Sequence, residues 1–115
     1  MGWLIARQPN GLFARFSGIV DHFTHLDLTE DEALEVCAEY GCSQGEARAK
    51  VDAGIRDLKP WTVTPGGGLE RWEHCLGVIE RVHGDGDRLE AQRVGESPAP
   101  QHMSQQPTME VKNGN

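Results

Sequence analysis

The segment LTEDEALEVCAEYGCSQGEARAKVDAGIRDL, residues 28–58, constrains the fold most, because two helix starts lie in it at a fixed spacing. Thr29 followed by Glu32 matches a capping box. In this motif the hydroxyl accepts from a first-turn N–H while the carboxylate accepts from the N–H of the cap residue. Ser43 and Glu46 repeat the motif. The segment therefore predicts two helices joined by a short turn.

Apolar residues follow each start at helical spacing. Gly41 suits the left-handed position that ends many helices, so the first helix is predicted to end there. Lys59 and Pro60 are predicted to end the second. The two apolar stripes are Ala33, Val36, Cys37 and Tyr40, and then Ala47, Val51, Ile55 and Leu58.

The N-terminal region is predicted to form an antiparallel sheet. Residues 3–8 and 12–17 are short apolar and aromatic runs on either side of Asn10-Gly11, a sequence typical of hairpin turns. Residues 19–28 supply a third extended segment. The face that carries Leu12, Ala14 and Phe16 is predicted to contact the core, with the face of Phe13, Arg15 and Ser17 opposite.

A third helix is predicted over residues 69–83, whose apolar residues form one stripe. Residues 61–64 could add a short edge strand. Residues 85–115 lack periodicity and are rich in Gly, Pro, Gln and Ser, which predicts a disordered tail. The expected fold is therefore α+β, with an N-terminal three-stranded antiparallel sheet packed against three helices in a domain of residues 1–84.

Charge and composition restrict the possible partners. The 115-residue chain has a net charge of −7, and residues 1–83 contain 13 acidic and 8 basic side chains. This balance disfavours nucleic acid and anionic membranes as partners. No membrane span or signal peptide is visible, and the three cysteines follow no disulfide framework. A cytoplasmic protein with free thiols is expected.

Catalytic, cofactor and metal sites are not indicated. His74 and Cys75 are helix neighbours that point about 100° apart and cannot form a dyad, and the glycines at 66–68 lack the lysine of a phosphate-binding loop. We expect a non-enzymatic protein without cofactors. A zinc site could be assembled on paper, but the spacing of its candidate ligands is poor. Those ligands are His22, His25, Cys37, Cys42 and Cys75.

The two helices of residues 28–58 also resemble a helix-turn-helix unit, which leaves DNA binding open as an alternative function. Arg48 and Lys50 would then have to supply the contacts to phosphates or bases. Glu46 and Asp52 lie beside them and cancel their charge. A plain pair of packed helices is therefore favoured over a DNA-binding regulator.

The run NGLFARFSGIVDHFTHLDLTEDEA, residues 10–33, resembles the opening of short phage or prophage proteins of uncharacterised function. Those proteins begin with a similar hairpin, a phrase like FSxIVDxF, and then LTEEEA. The resemblance covers about a fifth of the chain and contains no catalytic signature. It implies an accessory protein of a mobile element in the host cytoplasm, one that binds a host or phage protein.

The first helix supplies the candidate contact surface, because five carboxylates are crowded into ten residues. A basic protein surface would complement them, including one from a host complex that handles nucleic acid or serves in defence. The alternative interpretation is a solvated helix face with a favourable dipole interaction. The candidate partner-binding residues are Glu30, Asp31, Glu32, Glu35 and Glu39.

Overall fold

The chain folds as a three-stranded antiparallel sheet followed by four helices, in a computed structural model that describes residues 2–60, 65–66 and 68–98. This confirms the predicted α+β class. The predicted strand at 61–64 and residues 99–115 of the predicted tail lie outside the described residues. The elements are β1 (Trp3–Arg7), β2 (Phe13–Ser17), β3 (His22–Leu28), α1 (Glu30–Glu39), α2 (Gln44–Ile55), α3 (Glu70–His83) and α4 (Asp85–Glu96).

Strands β1 and β2 form the predicted hairpin around Gly11, which has a positive φ of 89°. The sheet order is β1-β2-β3, so β2 lies in the centre. Two register shifts interrupt the pairing of β2 with β3, and within β3 Asp27 has a φ of 59°. A bulge of this kind bends a strand and increases its twist.

Ala14 and Phe16 lie in the core as predicted, but helices cover both faces of the sheet, so the opposite face of β2 does not lie in solvent. Phe13, Arg15 and Ser17 are buried along with the opposite face of β2. The physical reason is that α1 and α2 pack on one side while α3 and α4 pack on the other. The α3 side contains Leu4, Ala6, Ala14, Phe16, Phe23, Trp72, Cys75, Leu76, Ile79 and Ala91. The α1 side contains Ile5, Phe13, Ala33, Cys37, Ala47 and Val51.

Both predicted capping boxes are present. The Thr29 hydroxyl accepts from the Glu32 N–H at 3.1 Å, and the Glu32 carboxylate accepts from the Thr29 N–H at 2.8 Å. The Ser43 and Glu46 pair repeats this geometry with 3.2 Å and 2.8 Å. Helices α1 and α2 therefore begin where their sequence predicts.

Helix α2 ends at Ile55, earlier than predicted, and its buried face differs from the predicted stripe. Ile55 is 40% exposed, whereas Gly54 is buried against the sheet. A Cβ at Gly54 would lie 2.9 Å from the Ile5 carbonyl oxygen, so only glycine permits this approach of helix to strand. The contact between α2 and β1 at this position therefore depends on a residue without a side chain, and not on an apolar side chain.

Helix α3 begins one residue after the predicted start, and its cap comes from a distant residue. Its N-cap position, Leu69, makes no side-chain cap. Instead the buried Asp57 carboxylate accepts from the N–H groups of Glu70 at 2.7 Å and Arg71 at 3.0 Å. Asp57 adopts a φ of 51°, which turns the chain after α2 toward this position.

A fourth helix, α4, occupies residues for which the sequence predicts disorder. Its small residues Ala91 and Gly95 are buried, and Gly95 lies against the indole of Trp72. The N–H of Asn10 donates to the Gly95 carbonyl at 3.1 Å, and the Asn10 side-chain amide donates to the Ser97 carbonyl at 2.9 Å. Because Ala and Gly leave little apolar signal, periodicity alone did not detect this helix.

Candidate interaction surface

The five acidic residues of α1 divide into two groups. Glu32 accepts the hydrogen bond of the capping box, as described above. Glu30 forms an ion pair with Arg48 of α2 at 2.8 Å. These two carboxylates therefore act within the fold, by starting α1 and by joining it to α2.

The remaining three carboxylates form a row along the exposed face of α1, at steps of four residues. They are Asp31, Glu35 and Glu39. Among the residues that the structure describes, no cation lies within ion-pair distance of any of them. Like charges four residues apart destabilise a helix by roughly 0.2–0.5 kcal/mol per pair. The row therefore opposes the stability of α1.

The end of the row is also unfavourable for the helix dipole. Asp31 lies in the first turn, where negative charge is favourable, but Glu39 lies at the C-terminal end, where it is not. The last turn of α1 contains no basic residue. The interpretation of α1 as a solvated face with a favourable dipole interaction therefore explains Asp31 but does not explain Glu39.

An apolar groove of about 390 Å³ runs between α1 and α2 beside this row. Glu35 belongs to both features, so a molecule bound in the groove would touch the acidic row. Small side chains on both helices keep the groove open. It is lined by Leu34, Glu35, Ala38, Cys42, Ser43, Gln44, Ala47 and Arg48.

The two candidate DNA-contacting residues both have partners within the fold. Arg48 donates to Glu30 at 2.8 Å and to Asp52 at 3.0 Å, and the hydrogen bond that it donates to Glu30 is the main cause that raises the pKa of Arg48. The Lys50 ammonium lies 4.2 Å from the Trp3 ring centroid and donates to the Trp3 carbonyl at 3.2 Å. DNA contact would require both cations to exchange these partners.

A buried cation between two aromatic rings was not predicted from the sequence. The Arg15 guanidinium lies 3.6 Å from the Tyr40 ring centroid and 4.4 Å from that of Trp3, and it donates to the Thr24 hydroxyl at 2.9 Å. Burial lowers its pKa. This cluster links the C-terminal end of α1 to the sheet. The sequence feature that could have indicated the cluster is the pairing of β1 with β2, because it places Trp3 and Arg15 on one face of the sheet.

The five candidate zinc ligands lie on both sides of the sheet. His22 packs against His83 of α3, whereas His25 packs against Tyr40, the C-cap residue of α1. Cys37 and Cys42 belong to the α1 side and Cys75 to the α3 side. Within the described ranges, no group of three or more His, Cys, Asp or Glu residues is arranged to hold a metal ion.

In the part of the chain that the structure describes, no helix combines the length and apolar composition that would let it cross a bilayer. Comparison of the chain with protein-family models, curated proteins and solved structures finds no match.

Proposed function

We propose that this protein acts without catalysis, by binding a basic segment of another protein on the surface formed by α1 and α2. The single observation that carries the proposal is the row Asp31, Glu35 and Glu39, which extends to the C-terminal end of its helix with no cation beside it in the described residues. Cations on a partner would relieve both the mutual repulsion of the row and its unfavourable dipole interaction.

The groove adds shape to this charge. A partner helix with lysine or arginine on one side would place these cations over Glu35 and Glu39. An apolar residue at the centre of the same helix would act as an anchor and pack against Leu34 and Ala47. Charge would then guide the encounter, and burial of the anchor would slow dissociation.

The nature of the partner follows from the sign of the charge. Proteins that bind DNA or RNA carry basic sites for phosphates, and an acidic protein can occupy such a site. The resemblance of residues 10–33 to phage and prophage proteins supports a host partner of this kind, such as a nucleic-acid-handling or defence complex. The protein would then be an inhibitor of that complex in the host cytoplasm.

Capture from a bacterial lysate, with mass spectrometry of the bound proteins, tests the proposal. The variant Glu35→Lys/Glu39→Lys should fold normally, because both side chains are exposed, and should lose the captured partner. The control Glu73→Lys/Glu96→Lys makes the same charge change on exposed residues of α3 and α4 and should retain it. Equal capture by both variants would contradict the proposal.

A DNA-binding regulator is the alternative that the same reagents can detect. Such a protein would shift duplex DNA at physiological salt, with an affinity that falls steeply as salt is raised. Loss of that shift in Arg48→Ala and Lys50→Ala would assign it to α2. We expect no shift for the wild type, because Arg48 and Lys50 are held by other groups.

A further inference from the structure

The turn after α1 brings two cysteines together. The Cys42 N–H donates to the Cys37 carbonyl at 3.1 Å, and the Gly41 N–H donates to the Ala38 carbonyl at 3.0 Å, with Gly41 at a φ of 95°. This pair of bonds defines a Schellman motif, in which the side chains at the positions of Cys37 and Cys42 commonly touch. Here both of those side chains are thiols.

The geometry suits a disulfide. A disulfide requires Cα atoms within about 7 Å, and a direct backbone hydrogen bond between the two residues keeps them in that range. Both cysteines are free thiols and pack in the same cluster. Cys75 lies on the other side of the sheet and cannot compete for either partner without unfolding.

We propose that Cys37 and Cys42 are a redox modification site that closes to a reversible disulfide when the protein meets a hydroperoxide. Cys42 is half-buried and lines the groove, whereas Cys37 is fully buried, so Cys42 meets the oxidant first. Burial raises the pKa of the Cys37 thiol to about 11, and the Cys42 thiol beside it acts in the same direction. Cys37 is therefore protected until its neighbour has reacted.

Closure takes two steps. The Cys42 sulfur attacks one oxygen of hydrogen peroxide, the O–O bond breaks, and the thiol proton leaves with the other oxygen as water, so that Cys42 becomes a sulfenic acid. The Cys37 sulfur then attacks the Cys42 sulfur, and the S–O bond breaks. The hydroxyl leaves with the Cys37 proton as a second water. Two thiols are oxidised by one peroxide, and an added dithiol reverses the change.

The site has a structural consequence that does not depend on what the groove binds. Oxidation would convert the thiol of Cys42 in the groove wall into part of a small covalent ring that locks the end of α1. The Schellman turn would then be fixed by a bond as well as by its hydrogen bonds.

Hydrogen peroxide added to the full-length folded protein provides the test. The wild type should lose two of its three free thiols and the mass of two hydrogen atoms, without forming dimers on a non-reducing gel. A peptidase that cleaves after Glu39 should give two fragments that separate only on reduction, because Glu39 lies between the two cysteines. Fragments linked through Cys75, dimers, or over-oxidised Cys42 without the mass loss would overturn the proposal.

Variants separate the roles of the two thiols. Cys75→Ala should behave as the wild type, whereas Cys42→Ala should retain both thiols. Cys37→Ala should accumulate a sulfenic acid on Cys42 that a dimedone probe traps. Closure in Cys42→Ala, or no sulfenic acid in Cys37→Ala, would overturn the proposed order. The wild-type digest remains decisive if Cys37→Ala fails to fold, since Cys37 is fully buried.

Discussion

Helices α1 and α3 begin in the same chemical way but from different sources. In each helix, a side-chain oxygen accepts hydrogen bonds from first-turn backbone N–H groups that have no acceptor within the helix itself. For α1 the acceptor Thr29 lies three residues from its donor, while for α3 the acceptor Asp57 lies 13 residues before Glu70. A local cap acts as soon as its own turn forms. A distant cap acts only after α2 has ended and the chain has turned back.

The same contrast divides the two helical layers. Both helices of the α1 and α2 layer start from their own capping boxes. Neither α3 nor α4 has a side-chain cap at its N-cap residue, and α4 is held by its contacts with Trp72 and Asn10. One layer therefore depends on local sequence signals and the other on tertiary contacts, and four measurements test this division.

The largest effect is expected from removing α4. A chain that stops after Gly84 should lose at least about 3 kcal/mol of unfolding free energy, because it uncovers Trp72 and removes the Asn10 hydrogen bonds. A chain that stops after Pro98 retains every described residue and serves as the control. Urea denaturation of both measures the difference, and equal midpoints would show that residues 85–98 do not contribute to the fold.

Asp57→Ala should come next, with a loss of roughly 2–3 kcal/mol, because two N–H groups at the start of α3 lose their acceptor. Asp57→Asn keeps one acceptor oxygen and should recover part of that loss. Chemical denaturation gives both values. If alanine and asparagine cost the same, the carboxylate does not act as the cap of α3.

Two glycines give a smaller, matched comparison. Gly95→Ala would place its Cβ 2.2 Å from the Trp72 ring and should cost about 1–3 kcal/mol through overpacking. Gly45→Ala, in the exposed part of α2 with open space around it, should instead stabilise the protein by up to about 1 kcal/mol. The midpoint temperatures of thermal unfolding should shift in opposite directions for the two variants, and a raised midpoint for Gly95→Ala would place α4 away from Trp72.

The local caps should give the smallest effects, about 1 kcal/mol each for Thr29→Ala and Ser43→Ala. The backbone hydrogen bond at Ser43 is the main cause that lowers the pKa of Glu46. A lowered pKa means stability that is present above the ordinary pKa of glutamate and is lost as pH falls. Glu46→Ala removes the carboxylate that accepts from the Ser43 N–H, so its cost in urea denaturation should be largest above the ordinary pKa of glutamate and should shrink in acid. A cost independent of pH would contradict this hydrogen bond.

Local signals predicted the hairpin, α1, the start of α2 and almost all of α3. They failed where contact depends on a small side chain, as at Gly54 and Gly95, because glycine also occurs in turns and flexible segments. They also failed to predict that Arg15 would be buried, since its aromatic partners Trp3 and Tyr40 come from other parts of the chain. The acidic residues were identified from sequence, but only the structure separates Glu30, paired with Arg48, from the row Asp31, Glu35 and Glu39, which has no cation beside it among the described residues.

The two hydrogen bonds from Asn10 to the C-terminal end of α4 close almost the whole described chain into one loop. Such a contact has a high entropic cost before it forms, so α4 should dock late in folding, after the β1–β2 hairpin is in place. The same helix should be the first part of the protein to open in the native state. Its amides should therefore exchange with solvent at a lower free energy than those of β2, which lies between two helical layers.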